Sequence, residues 1–270
     1  MKLVDVHAHL ESSRFDEDIG EVIERFKEAG GEVVVNSGVN PATNRRVLEM
    51  CDLDSVMKCS FGLFPIDCIA SDLKMSSEES DLREVEVFDL DEELDWIREH
   101  ASECLAIGEV GLDFADEEVK GSDELKEKQR GNFRKILGVV KELGKAVVVH
   151  TRKAEADCIE ILSEAGCMNV VLHCFHGNKK LIKRGVELGY SFSVPPNITR
   201  LLHFKMLVEM VPLEQLLTET DAPYNSPVAG ERNEPANVLV TLKEIARIKG
   251  LGVEEVGRAV YENFLRVFNL

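Results

Sequence analysis

Two histidines spaced two apart, His7 and His9 in LVDVHAHL, stand where an apolar run ends. Alternate residues of a strand point to one side, so both imidazoles project together from the end of a strand read as Leu3 to Val6. Neutral imidazoles bind borderline divalent cations well, and two of them on one rigid element make a chelating pair. The competing reading is chance proximity of two among seven histidines, because a short motif is easily matched by accident. The choice between these readings rests on the elements that carry the other candidate ligands.

Short apolar or β-branched runs alternate with segments of helical period along the chain. The strands are read as Leu3 to Val6, Glu32 to Asn36, Lys58 to Gly62, Leu105 to Ile107, Ala146 to Val149, Asn169 to Leu172, Tyr190 to Val194 and Leu216 to Thr218. Helical segments fall near 17–29, 43–52, 91–101, 123–143, 155–165, 178–188, 203–210, 235–249 and 253–264. Eight βα units describe a (β/α)8 TIM barrel, of the α/β class, in one domain over residues 1–270. A doubly wound open sheet is the alternative. The stretch from Phe64 to Leu90 reads as a loop over the barrel mouth, with mobile polar content near Ser76 to Ser80.

Once these strands are drawn, the candidate ligands fall into place. Glu109 in AIGEVGLDF, His150 in AVVVHTRKA, His173 in VVLHCFHGN and Asp221 in LLTETDAPY each follow a strand, as His7 and His9 do. The C-terminal strand ends of a barrel converge on one mouth, where active sites of this fold lie. Random placement of such residues at the ends of strands 1, 4, 5, 6 and 8 is improbable, and the chelate reading gains over chance.

Composition restricts the remaining possibilities. The net charge of −18 argues against nonspecific attraction to a polyanion over most of the surface, so a phosphate-bearing substrate requires a local site. Seven scattered cysteines, with no C-x-x-C pair, indicate reduced thiols rather than a disulfide framework. No apolar run approaches a membrane span, and the N-terminus lacks a signal core. A cytoplasmic location, with no membrane association and no obligate protein partner, is expected.

The segments DVHAHLE, GLFP, IGEVGLDF, VHTRKAEAD, LHCFHG, TETDAPY, RNEPANV and ENFLRVF together resemble the TatD family of metal-dependent hydrolases, within the amidohydrolase-like barrels. The resemblance implies a phosphodiesterase, usually described as a deoxyribonuclease, with DNA as substrate. It also implies a metal site built from His7, His9, Glu109 and Asp221, a second from Glu109, His150 and His173, and Glu109 bridging them. One or two divalent ions, magnesium, manganese or zinc, are the expected cofactors. Such open ligand sets suit catalysis rather than structure, and a bridging carboxylate can hold two ions roughly 3.5 to 4 Å apart. Asp221 is the candidate general base; its plainer reading is a cap of the following turn.

Arg152, two residues past His150, is a candidate phosphate clamp or a structural partner for a neighbouring carboxylate. Glu11 and Asp113 either orient imidazoles or cap loops. Arg232 and Asn233 either contact substrate or brace the mouth. His100 and His203 read as packing histidines, Trp96 as a helix-to-barrel contact, and Cys174 as a small buried side chain facing away from His173. Three departures from the family pattern stand out: Phe64 where a histidine is common, His176 where a small polar residue is usual, and Pro195-Pro196 after strand 7. Two rivals to the phosphodiesterase remain, namely hydrolysis of an amide, ester or lactone, and a noncatalytic metal-binding scaffold. An arginine or lysine cluster at the mouth favours phosphate.

Overall fold

The computed structural model describes residues 1–73 and 87–270. Eight parallel strands pair in chain order: β1 (Leu3–Ala8), β2 (Gly31–Ser37), β3 (Met57–Leu63), β4 (Ala106–Gly111), β5 (Ala146–His150), β6 (Val170–Leu172), β7 (Ser191–Val194) and β8 (Leu216–Thr218). The sheet comes round on itself where the segment after β8 meets β1: Asp221 N–H donates to His7 O (2.8 Å) and His9 N–H to Ala222 O (2.7 Å). The expected (β/α)8 barrel is therefore present, and its closing seam carries three of the candidate ligands.

Helices α1 (Ile19–Glu28), α2 (Pro41–Met50), α3 (Leu90–Glu99), α4 (Glu117–Lys120), α5 (Asp123–Leu143), α6 (Glu155–Ala165), α7 (Lys179–Glu187), α8 (Leu202–Met210), α9 (Val238–Lys249) and α10 (Val253–Val267) connect and follow the strands. Their boundaries have local causes. Helix α2 starts at a reciprocal capping box between Asn40 and Thr43, followed by Pro41, and α5 and α6 each end on a left-handed glycine, Gly144 and Gly166. Buried apolar side chains such as Phe26, Phe133, Ile182 and Phe264 seat helices on the strands.

Strands β1 and β4 run further than the apolar pattern suggests, because His7 and Glu109 lie inside them rather than beyond them. Both are buried polar residues facing the mouth, and they interrupt an apolar run without ending its pairing. Short α4 also escapes the periodic reading. Of the expected mouth loop, residues 64–73 include a 3-10 helix, Asp67–Asp72, and Leu90 opens α3; the polar content near Ser76 to Ser80 lies outside the described residues. Among the described residues no helix is long and apolar enough to cross a membrane.

Glycine is required where strands crowd at the mouth. A side chain at Gly62 would sit 1.8 Å from Gly38 O and 2.5 Å from Glu109 N, and one at Gly111 (φ 141°) would sit 2.1 Å from His150 O. These close approaches let Glu109 and His150 stand side by side on neighbouring strands.

Candidate metal centre

Glu109 occupies the centre of the mouth and divides its two oxygens. Oε2 faces His7 Nε2 (3.6 Å) and His9 Nε2 (3.3 Å), while Oε1 faces His150 Nδ1 (2.6 Å) and His173 Nε2 (3.6 Å). Asp221 Oδ1 stands 3.6 Å from His7 Nε2 and 3.5 Å from His9 Nε2. Two groups have ligand atoms within 4.8 Å of one another: His7, Glu109 and His173, and His7, His9 and Asp221. The partition differs from the sequence expectation in that His7 is common to both groups. His150 belongs to neither and instead contacts Glu109 directly.

The side chains fit a divalent cation. His7 Nε2 is buried and has no hydrogen-bond partner among the described residues, yet it points at two carboxylates. A buried nitrogen left unpaired is costly, and a cation between it and those oxygens would satisfy all three. Four imidazoles and two carboxylates form a mixed nitrogen and oxygen donor set suited to borderline metals.

Ionisation follows from the same crowding. Burial favours the neutral acid, but the imidazoles of His150, His7 and His9 outweigh it and hold Glu109 well below the usual carboxylate range. Asp221 is likewise lowered by His9, His173 and His7 against its burial. Burial lowers His7 and the neighbouring His173 adds to the effect. In His173 burial is overcome mainly by Glu219, which lifts the ring to about 9. Burial also works against His9 and His150, where carboxylates prevail: Glu11, Asp221 and Glu109 raise the first, Glu109 and Asp113 the second.

Beneath the ligand atoms lies a set of orienting contacts, most of them not evident from the sequence. Ser37 O lies 3.0 Å from His9 Nδ1, and Ser37 Oγ lies 3.0 Å from His7 Nδ1. In the neutral ring that binds a metal, Nδ1–H donates to the carbonyl and the lone pair of His9 is on Nε2, facing Glu109 and Asp221. Buried Glu219 does the same for His173: its Oε2 is 2.8 Å from His173 Nδ1 and accepts from Ser193 Oγ (2.6 Å), while Oε1 accepts from Cys174 N–H (2.9 Å). Glu219 was detectable as a second acid on the Asp221 side of TETDAPY. Asn225 donates to Asp221 Oδ2 (2.7 Å) and accepts from Asn197 Nδ2 (2.6 Å). Asp5, fully buried under the seam, accepts from the backbone of His7 and Thr220, and burial pushes it up to about 8. Of the two orienting residues anticipated, Asp113 Oδ2 meets His150 Nε2 at 3.1 Å and Glu11 Oε1 meets His9 Nδ1 at 3.3 Å.

The family model described as TatD related DNase matches residues 4–269. The chain belongs to the TatD-related DNase family. This family chain is 34% identical over 266 residues to a human protein named deoxyribonuclease TATDN3, covering 98% of this chain and 94% of that one. It is also 34% identical to an uncharacterized metal-dependent hydrolase from Methanocaldococcus jannaschii, covering 99% and 97%. A TatD homologue from Escherichia coli superposes with a TM-score of 0.84 at 23% identity, covering 99% and 98% of the two chains. At that identity the superposition speaks for the barrel alone.

Other candidate residues of this TatD-family chain have the following contacts. Arg152 Nε pairs with Asp113 Oδ2 at 2.8 Å, and its side chain is 58% exposed. Its observed contact is therefore the structural pairing, made through the carboxylate that also holds His150. Cys174 does not face away from the site, because β6 ends at Leu172 and Cys174 takes a left-handed conformation (φ 42°). Its Sγ accepts from Asn225 Nδ2 at 3.5 Å. Asp221 is also left-handed (φ 56°), a conformation that aspartate tolerates better than most residues. Its carbonyl accepts from Tyr224 N–H, so it forms the turn and faces the cluster as well.

Phe64 packs its ring edge-on against His150, with centroids 4.8 Å apart, so the position of the missing histidine is an apolar wall. His176 is bonded through Nδ1 to Cys174 O (2.8 Å) and stacks on His203, away from the cluster. Pro195 and Pro196 lead into a 3-10 turn, Pro196–Thr199, whose Asn197 braces Asn225. Arg232 and Asn233 brace the mouth: Arg232 bonds to Asp18 and Arg14 O, and Asn233 Nδ2 donates to Thr220 O. His203 bonds Phe175 O, His100 stacks on Trp96, and Trp96 packs on Phe61, as packing residues do.

Beside the cluster is a cavity of about 610 Å³ whose lining includes Arg14, Arg200, Tyr224, Asn225, Glu231 and Arg232. Tyr224 and Asn225 belong to both places, since Tyr224 packs edge-on to His9 (6.3 Å between centroids) and Asn225 holds Asp221.

Proposed function

We propose that this chain is a divalent-metal-dependent phosphodiesterase acting on DNA, with Glu109 shared between two metal positions and Asp221 as general base. The division of the two Glu109 oxygens between the His7/His9 side and the His150/His173 side supports this reading. When bound, divalent ions supply Lewis-acid stabilisation and lower the pKa of the attacking water. The chain's own residues prepare the rest. Ser37 O and Glu219 set the tautomers in which His9 and His173 turn Nε2 toward the carboxylates. Asn225 occupies Asp221 Oδ2, leaving Oδ1, the oxygen nearest His7 and His9, to take the proton of water. Phe64 offers no proton to a leaving oxygen.

Arginines 14 and 200 along the adjoining cavity favour a phosphate ester over the amide, ester or lactone alternative. A relative named deoxyribonuclease supports DNA as the polymer, and the four imidazoles favour zinc over manganese or magnesium. The test is a metal-dependent screen against single-stranded DNA, bis(p-nitrophenyl) phosphate and a lactone. Metal-dependent cleavage of the first two is expected. Lactone turnover without phosphodiester cleavage would transfer the site to carbonyl chemistry, and bound metal with no turnover on any substrate would leave a scaffold.

A further inference from the structure

We infer that the cavity beside the cluster is a subsite for the strand flanking the scissile linkage, with Arg14 and Arg200 binding its phosphates; this rests on the phosphodiesterase reading. The chain carries a net charge of −18, so a polyanion is repelled by most of its surface and must be drawn in locally. The cavity is the place where that occurs. Arg232 is neutralised by Asp18, at 2.7 and 2.5 Å. Among the described residues, the guanidinium of Arg14 meets no carboxylate and lies 5.7 Å from the centre of the Tyr224 ring. Arg200 likewise meets none, and its one hydrogen bond goes to a backbone acceptor, Ser226 O (2.9 Å). Both are exposed, Arg14 on the turn after β1 and Arg200 on the loop after β7, and each rests against the segment after β8, so they are free to bind an anion without breaking an ion pair. Glu231 is the one acidic residue on the lining.

Position links the cavity to the chemistry. Tyr224 has its ring edge at His9 and Arg14 over it, and an aromatic ring paired with a guanidinium is a stacking platform for a nucleobase. Asn225 separates the cavity from Asp221 by one side chain. A strand whose scissile phosphate sits at the cluster therefore has a neighbouring nucleotide at Tyr224 and further phosphates at Arg14 and Arg200. Stacking and backbone contacts carry no base readout, so the subsite selects a single strand over a free mononucleotide without preferring a sequence.

The experiment is fluorescence anisotropy of a labelled thymidine 12-mer bound to the full chain in excess chelator, where no hydrolysis interferes, across a salt series. Arg14→Gln and Arg200→Gln should each weaken binding about ten-fold, as loss of a charged hydrogen bond does. The double variant should flatten the slope of log affinity against log salt by about 1.4, the value for two phosphates on a single strand. Affinity and slope within two-fold of the unaltered chain, or no binding by the unaltered chain, overturn the inference. Among the described residues the Arg14 side chain makes its contact with the Tyr224 ring and no hydrogen bond, so Arg14→Gln remains decisive if the Arg200 variant unfolds. Hydrolysis of bis(p-nitrophenyl) phosphate by the metal-loaded chain, measured separately, distinguishes the two failures. Turnover with unchanged 12-mer binding removes the subsite and keeps the phosphodiesterase, whereas arginine-dependent binding without turnover does the reverse.

Discussion

Replacing Glu219 by Gln changes one atom and should unsettle the whole His173 side of the cluster. The carboxylate is fully buried and accepts three hydrogen bonds, from His173 Nδ1 (2.8 Å), Ser193 Oγ (2.6 Å) and Cys174 N (2.9 Å). Glutamine has one acceptor oxygen and one donor NH2, so either Cys174 N–H or the His173/Ser193 pair faces a donor. Ser193 can rotate its hydroxyl; the histidine can adapt only by moving its proton to Nε2, the nitrogen that faces Glu109. Loss of one or two charge-assisted bonds at roughly 1.5 to 3 kcal/mol each gives a destabilisation of about 3 kcal/mol, or a fall in Tm of roughly 6 to 12 °C for a chain of this size. Metal affinity should fall about 10- to 100-fold, as when an orienting partner of a ligand histidine is removed. Calorimetric unfolding with and without added zinc, together with a competition titration against a chelating dye, measures both quantities. A variant with wild-type metal affinity would refute the tautomer argument even if its Tm fell as expected.

Asp221→Asn should lower turnover of a chromogenic phosphodiester about 10²- to 10⁴-fold, the range for loss of a general base, while shifting Tm by only a few degrees; an unchanged rate would remove Asp221 from that role. Arg152→Ala should change kcat/KM by less than about ten-fold, because its guanidinium meets Asp113 rather than the cluster; a loss of 10²-fold or more, residing in KM, would restore it as a phosphate clamp. Metal at about 100 times its Kd should stabilise the chelator-treated chain by about 2.7 kcal/mol, read as a rise in Tm; no rise on titration with zinc, manganese or magnesium would contradict a native-state site.

The barrel was legible because apolar runs such as AVVV and VVL end abruptly at histidine, and a parallel strand buried on both faces must be a continuous apolar run. The same rule explains why β1 and β4 extend past their apolar runs. His7 and Glu109 are buried in the strands themselves, and their polarity mimics a strand end. The ligand types were visible from spacing; their partners were not. Glu219 meets His173 across 46 residues and Ser37 meets His7 across 30, so proximity comes from the lateral pairing of strands rather than from any local pattern. Cys174 shows the limit of extrapolating strand alternation, since its left-handed backbone ends the period one residue after His173. The shared cavity of Arg14 and Arg200 was equally hidden, because the loops after β1 and β7 that carry them meet only through the segment that follows β8.

The most direct test of the shared carboxylate is the metal content of the reconstituted chain and of Glu109→Ala, measured by elemental analysis beside turnover of single-stranded DNA. With Glu109 offering one oxygen to each side, the unaltered chain should hold two ions, and the variant should lose most of its metal and its activity together. Full stoichiometry with normal turnover in Glu109→Ala would contradict the bridging role on which the account rests.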